Sequence, residues 1–358
     1  MARYPFSSGK PSLIVRKVHP DNRESPLQFI ENDTIGNDLF YRRNHFSYPA
    51  LPQSSYWLPV NGLVHRPSIF TLDEIIKMPS KTLKVILECA GNKRHFFEPK
   101  VFGDQWEKGA MSQGYWKGVP LRNLLELAGG VKPGAKEVLI EGYDFGKQPN
   151  MNQPETFARS LPLNKALHPD TLIAYQYNNQ PIPFKHGYPL RLIVPQWYAV
   201  ASVKWIKQIS VIDYKFNGSF QADDYVYYPK KESDAGAFRV TTINVNSSIL
   251  NPLNREILDT GKHLIKGIAW TGEGAITKVE VSTDNGTNWS TAKLTVQRNQ
   301  ERYAWTTWSY EWNPDEKGEY TILTRAADSL QRIQPKVPFW NRKGYGYNAI
   351  DQIKVKIE

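Results

Sequence analysis

Beyond residue 239 the chain alternates apolar and polar side chains strand after strand, and that pattern leaves few folds open. Segments 263–270, 276–282, 289–294, 306–312 and 319–328 keep a period of two, at spacings of roughly 8–14 residues. Between the second and third stands Asp284-Asn285-Gly286, a run suited to a tight hairpin turn. Short half-buried strands with no helical stretch among them must pair into sheets and bury one face of each. The pattern predicts an immunoglobulin-like sandwich over residues 239–358. Such a fold by itself implies no activity.

Residues 1–238 are written differently. Up to about residue 60 the chain is rich in Pro, Ser, Asn and Arg with little periodicity, which predicts extended loop wrapped on a domain. A strand is expected from Thr82 into Cys89, a helix over 121–128 closed by Gly129-Gly130, and a strand over 136–141. A short helix is expected over 163–167, a buried strand over 190–195 and another strand over 203–212. The polar and aromatic stretch 217–237 reads as the crossing into the sandwich. With 358 residues, two domains are the natural division, 1–238 and 239–358. The fold class is α+β, a mixed α/β domain followed by an all-β one.

Cys89 is the only cysteine, and it ends an alternating strand where the turn Ala90-Gly91-Asn92 begins. One thiol excludes an internal disulfide, a structural zinc cluster, iron–sulfur ligation and a covalently attached c-type haem. As a thiolate it is a soft donor for a thiophilic metal; as a thiol it is a small buried apolar group. No run of about 18 apolar residues offers a membrane span. Met1-Ala2-Arg3-Tyr4-Pro5 opens no charged-then-apolar leader, so a cytoplasmic protein is expected. The net charge of +10, from 45 basic and 35 acidic residues, is dispersed and comes with no zinc-finger, helix-turn-helix or RNP-like pattern, so no nucleic-acid partner is expected. It suits an anionic cofactor, an anionic substrate or an acidic redox partner, and equally a solvated surface. Arg191 stands out inside Pro189-Leu190-Arg191-Leu192-Ile193-Val194. A guanidinium there either faces solvent or is buried opposite an anion, for which phosphate suits its planar fork.

Several segments occur in the order of one family. Tyr41-Arg42-Arg43-Asn44-His45 comes first, then Glu88-Cys89-Ala90-Gly91-Asn92-Lys93-Arg94, then Trp106 to Trp116 with Gly118-Val119-Pro120-Leu121. Glu141-Gly142-Tyr143-Asp144, His186-Gly187-Tyr188-Pro189-Leu190-Arg191, Ser202-Val203-Lys204-Trp205 and Trp340-Asn341-Arg342-Lys343-Gly344 follow. Together they resemble the sulfite oxidase family over roughly residues 35–358. The resemblance implies a molybdenum–molybdopterin cofactor with Cys89 as the protein's metal ligand. Tyr41, Arg42, Arg43, Asn44, His45, Asp144, His186, Arg191, Ser202, Val203 and Lys204 match the cofactor-contacting positions. Arg43, Arg94, Trp106, Tyr225 and Lys343 match the substrate pocket, although Tyr227 or Tyr228 could take the place of Tyr225.

The reaction so implied is oxidation of sulfite to sulfate, with two electrons leaving to an external acceptor such as a cytochrome or dioxygen. The all-β domain would join a homodimer. Two departures keep a second reading open, in which a related molybdoenzyme acts on nitrate, an S- or N-oxide or sulfane sulfur. Lys343 stands where animal and plant sulfite oxidases place an arginine, keeping the charge but losing the bidentate fork. Lys93-Arg94-His95-Phe96-Phe97 replaces a more polar continuation. A non-catalytic binding protein built on the sandwich is the reading from another class.

Overall fold

The computed structural model describes residues 11–30, 33–51, 56–147, 153–295 and 301–358. The N-terminal part is built on two five-stranded sheets. In one, Lys81–Glu88, Met111–Pro120 and Leu172–Tyr177 lie side by side, and Arg191–Ile193 pairs with the last of them, all antiparallel. In the other the order is Ser68–Thr71, Trp57–Gly62, Ile206–Ile212, Glu137–Gly146 and Glu155–Pro162. Its pairing of Ile206–Ile212 with Trp57–Gly62 is parallel.

Among the described residues three short α-helices join these strands. Leu72–Lys77 starts at a reciprocal cap, in which Thr71 accepts from the Glu74 backbone and Glu74 from that of Thr71. Leu121–Leu127 buries Leu121, Leu124 and Leu125 on one face and ends before Gly129 and Gly130, both in the left-handed region. Leu163–Ala166 is a single turn. Among the described residues no helix is long and apolar enough to cross a membrane.

The C-terminal part is a sandwich of a four-stranded and a five-stranded sheet. Asn246–Asn251, His263–Trp270, Thr306–Trp312 and Lys293–Leu294 form the first. Ile257–Leu258, Asp351–Ile357, Gly318–Asp328, Ile276–Ser282 and Ser290–Thr291 form the second. Val279, Val281, Trp308, Ile322, Ala326, Ile353 and Val355 fill the space between them. A separate apolar cluster runs from the first part into the second, joining Val203, Ile206 and Tyr225 to Ile268, Trp270 and Trp305.

The strands differ from the sequence expectations in instructive places. Within 11–62 the chain folds a hairpin, Ile14–Lys17 against Asn22–Glu24, and a sheet strand, Trp57–Gly62. Pro59 had hidden the alternation of buried Leu58 and Val60. Residues 1–10 lie outside the described residues. The single strand expected over 289–294 divides. Ser290–Thr291 pairs with one sheet and Lys293–Leu294 with the other. The strand expected from Val203 begins only at Ile206, because Trp205 adopts a positive φ of 48°. The crossing segment contains a π-helical turn, Phe220–Asp224. Asp351–Ile357, whose Ile353, Val355 and Ile357 point inward, had not been expected.

Candidate active site

Strand Lys81–Glu88 carries its chain into the interior, and Cys89 is the first residue beyond it. The Cys89 N–H donates to the Ala110 carbonyl at 2.9 Å, and the Cys89 carbonyl accepts from Asn92 at 2.8 Å, which closes the turn. Its Sγ accepts from the Gly91 N–H at 3.4 Å. The thiol lies in the wall of a cleft of about 620 Å³, part of it open to solvent. Burial pushes the thiol up, while the guanidinium groups of Arg43 and Arg94 and the Gly91 N–H oppose that shift.

The facing wall comes from residues 40–45. Arg23 and Arg42 exchange backbone hydrogen bonds at 2.9 and 2.8 Å, pinning this segment to the N-terminal hairpin. Asn44 is locked between the Asn22 side chain and the Asp21 carbonyl, at 2.6 and 2.7 Å. Lys204 donates to the Arg43 carbonyl at 3.2 Å and to the Asn44 side chain. His45 Nε2 and the Tyr225 hydroxyl lie 2.9 Å apart. Burial, then the charges of Arg43 and Lys204, hold His45 well below the usual imidazole range. Its 3.8 Å approach to Asp224 therefore joins a neutral ring to a carboxylate and is no ion pair.

Buried cations mark the floor. Arg191 is 5% exposed, donates to the His186 carbonyl at 3.1 Å and lies against the rings of Trp116 and Phe40. Its Nε has no partner among the described residues, and burial holds its pKa down at about 10. Lys204 is held well below the usual ammonium range by burial and by Arg191. Asp144 opposes that shift. Burial raises its own carboxyl, Lys204 counters, and its Oδ1 has no partner among the described residues. His186 is kept neutral by burial and by Arg191.

Of the positions singled out in the sequence, Tyr41, Arg42, Arg43, Asn44, His45, Cys89, Asp144, His186, Arg191, Ser202, Lys204 and Tyr225 line this one cleft. Four stand outside its wall. Trp106 is fully buried beside Cys89 in an apolar cluster. Val203 packs in the main core, with its carbonyl accepting from Leu192 at 2.8 Å. Arg94 is fixed by the carbonyls of Lys343, Gly344 and Asp104 at 3.1–3.2 Å. A Cβ on Gly91 or Gly103 would come to 2.8 Å from its guanidinium, so a larger residue at either position would displace that side chain. Lys343 pairs with Asp224 at 3.3 Å.

Arg342, next to Lys343 in the chain, is placed differently. It bonds to Asp234 and lies over Tyr228, and a turn rather than strand alternation sends the two side chains apart. Phe40, Phe157, Lys185, Ala199 and Val200 also line the cleft and were not singled out. Lys185, next to His186, was within reach of a sequence reading; the apolar four carry no chemical signal.

The donor set decides what the cleft can hold. Among the described residues no three His, Cys, Asp or Glu side chains gather to hold a metal ion. A metal at Cys89 must therefore bring most of its own ligands, on a group anionic enough to face Arg191, Arg42 and Lys204. The orphaned Nε atoms of Arg42 and Arg191 are donors suited to such a group.

Residues 45–220 match the oxidoreductase molybdopterin binding domain, and residues 238–358 match the Mo-co oxidoreductase dimerisation domain. Sulfite oxidase of Gallus gallus is 31% identical over 366 residues, covering 96% of this chain and 78% of that protein. The chain belongs to the sulfite oxidase family. Mitochondrial sulfite oxidase of Rattus norvegicus is 32% identical, and the match takes in 97% of this chain but 66% of that protein. Nitrate reductase [NADH] of Volvox carteri is 31% identical, over 94% of this chain and 42% of that one. The crystal structure of the sulfane dehydrogenase SoxCD from Paracoccus pantotrophus superposes with a TM-score of 0.82 at 26% identity, covering 98% and 92% of the two chains. The family's cofactor, molybdenum carried on a pterin, meets the demands of the cleft: one soft ligand from the protein, and cations and amide donors for the rest.

Proposed function

We propose that this protein oxidises sulfite to sulfate, taking up water and releasing two protons and two electrons to an external acceptor. The observation that supports it most is the convergence of Arg43, Tyr225 and Cys89 on one cleft, with the fixed cation Arg94 behind Cys89. Bound, the molybdenum–pterin group supplies two-electron oxygen-transfer chemistry. Cys89 would hold its metal, and Arg42, Asn44, Asp144, His186, Arg191, Ser202 and Lys204 would hold its pterin and phosphate. Arg43 and Arg94 neutralise the anionic substrate. Arg94, held by three carbonyls, cannot swing away, so its charge is in place before the anion arrives. Burial keeps the Tyr225 phenol protonated, and it can donate either to His45 or to an oxygen of the substrate. The aromatic walls Phe157 and Phe40 limit water.

Trp106 is kept in this reading as packing beneath Cys89, and Val203 as the backbone that sets Ser202 and Lys204. One feature favours a second reading. Lys343 is neutralised by Asp224, which also accepts from Tyr345 at 3.2 Å, so the oxyanion site is weaker than one with a free arginine. Sulfane sulfur, an S- or N-oxide or nitrate then becomes the substrate of the same centre.

The acceptor is proposed to be a cytochrome or dioxygen, the assembly a homodimer through the sandwich, and the location the cytoplasm, which fractionation of the native host checks. The test of the function is metal and pterin analysis of purified protein together with sulfite-dependent reduction of an artificial acceptor. About one molybdenum per chain and turnover lost in Cys89→Ser are expected, since a hard hydroxyl replaces a soft thiolate. Loaded protein that ignores sulfite but reduces nitrate or an N-oxide would move the assignment to the second reading.

A further inference from the structure

A second buried guanidinium, next to the cleft's Tyr225, repeats the situation of Arg191. Arg159, 2% exposed, gives Nη1 to the Phe220 carbonyl, and its Nε has no partner among the described residues. No carboxylate of a described residue pairs with it. It lines a different cavity, of about 640 Å³ including its open mouth, together with Arg239, Glu137, Ser160, Gln221 and Trp197.

The other polar groups of that wall are spent on one another. Ser160 donates to Glu137 at 2.5 Å and accepts from Gln221 at 2.6 Å, and the Ser160 N–H donates to the Gln221 side chain at 2.9 Å. Glu137 also accepts from the Phe216 N–H at 3.0 Å and lies 3.8 Å from Arg239. Two guanidinium groups therefore line this cavity with one carboxylate, already committed. Asp224 acts on Arg159 only at a distance, and Arg239 gives Nη2 to the Phe216 carbonyl at 2.7 Å and to the Asn217 side chain at 3.1 Å. Water could accept from the Arg159 Nε–H but would leave the buried charge without a close counter-charge. An anion with several oxygens answers both deficits, and a planar fork binds it best.

We propose that this cavity is a second anion-binding site, taking a small oxyanion such as sulfate or phosphate between Arg159 and Arg239. It is separate from the Cys89 cleft, and its existence does not depend on the reaction assigned there. The Arg159 guanidinium lies 5.8 Å from the centre of the Tyr225 ring, so an occupant would change the field at the cleft's tyrosine.

Crystals of the cofactor-loaded protein soaked in selenate test the placement. An anomalous peak between Arg159 and Arg239 is expected. A cavity holding water alone, with selenate confined to the Cys89 cleft or the outer surface, overturns the proposal. In solution, calorimetric titrations with sulfate and with phosphate tell which oxyanion is preferred. Arg159→Met should abolish this binding. Should that variant not fold, Arg239→Gln, at a half-buried position, should weaken it at least about fivefold through loss of one charged donor. Unchanged affinity for both anions in Arg239→Gln likewise overturns the site.

Discussion

Arg191 shows how one side chain can carry much of a site. It sits in a strand whose neighbours Leu192 and Ile193 are fully buried, with aromatic faces on two sides and a donor unpaired among the described residues. Such a guanidinium is tolerable only opposite an anion. Arg191→Ala should therefore yield folded protein with pterin and molybdenum largely missing, as metal analysis reads; normal loading would take Arg191 out of the cofactor site. Lys343 poses the opposite case, a cation already answered by Asp224. In Lys343→Arg one arm of the fork can keep Asp224 while the other meets substrate. The Michaelis constant for sulfite should fall by up to about tenfold, or roughly 1–1.4 kcal/mol, with little change in kcat. An unchanged constant would place residue 343 beyond reach of the substrate.

At the level of elements, the turn that carries Cys89 is tied to the sandwich. Glu88, the last residue of its strand, accepts from Trp270 Nε1 at 2.8 Å and from Asn92 at 3.0 Å. Burial raises the Glu88 carboxyl, while these two donors counter. Lys93, fully buried and at a positive φ of 64°, reaches Asn246 and the Ser247 carbonyl at 2.8 and 2.7 Å. Lys108 pairs with Asp351 at 2.9 Å. The cofactor-side turn and the β-sandwich thus share one buried polar network, and they should unfold together. Trp270→Phe removes one donor and leaves a buried carboxylate oxygen bare, at a cost of about 1–3 kcal/mol. Urea unfolding measures it, and a midpoint like that of the parent protein would show that the network is dispensable.

For the whole molecule, protonation gives a signed prediction. His45 and His186 are held well below the ordinary imidazole value. Unfolded, each takes a proton near pH 6.5; folded, each stays neutral. Their stabilising contribution is therefore complete above pH 6.5 and is lost as pH falls, at up to about 1.4 kcal/mol per pH unit for each. Asp144 and Glu88, raised by burial to about 6 and about 7, work the other way once they are protonated in the folded state. The histidine loss therefore sets in near pH 6.5 and steepens as pH falls further, and His186→Gln should make the slope shallower by up to about 1.4 kcal/mol per pH unit. Urea midpoints at pH 7.5, 6.5 and 6 give the slopes, and equal slopes in both proteins would contradict the assignment. Light scattering should give twice the 41.1 kDa chain mass if the sandwich joins two copies.

The sequence alone carried the strand into Cys89, the order of the motifs around it and most strands of the sandwich, because period-two alternation and turn residues are local properties. It also marked Arg191, since a charge within an apolar run is visible in one dimension. Choosing among Tyr225, Tyr227 and Tyr228 required the fold. The π-helical turn Phe220–Asp224 sets the register, so that Tyr225 meets His45 while Tyr227 packs on Phe238 and Tyr228 lies under Arg342. Arg159 reads in sequence as an ordinary polar residue of a strand; only its burial, with Nε unpartnered among the described residues, makes it unusual. The Glu88–Trp270 bond joins residues 182 positions apart. Pairings of that range follow from how two apolar surfaces close on each other, and no local pattern records which polar groups they trap.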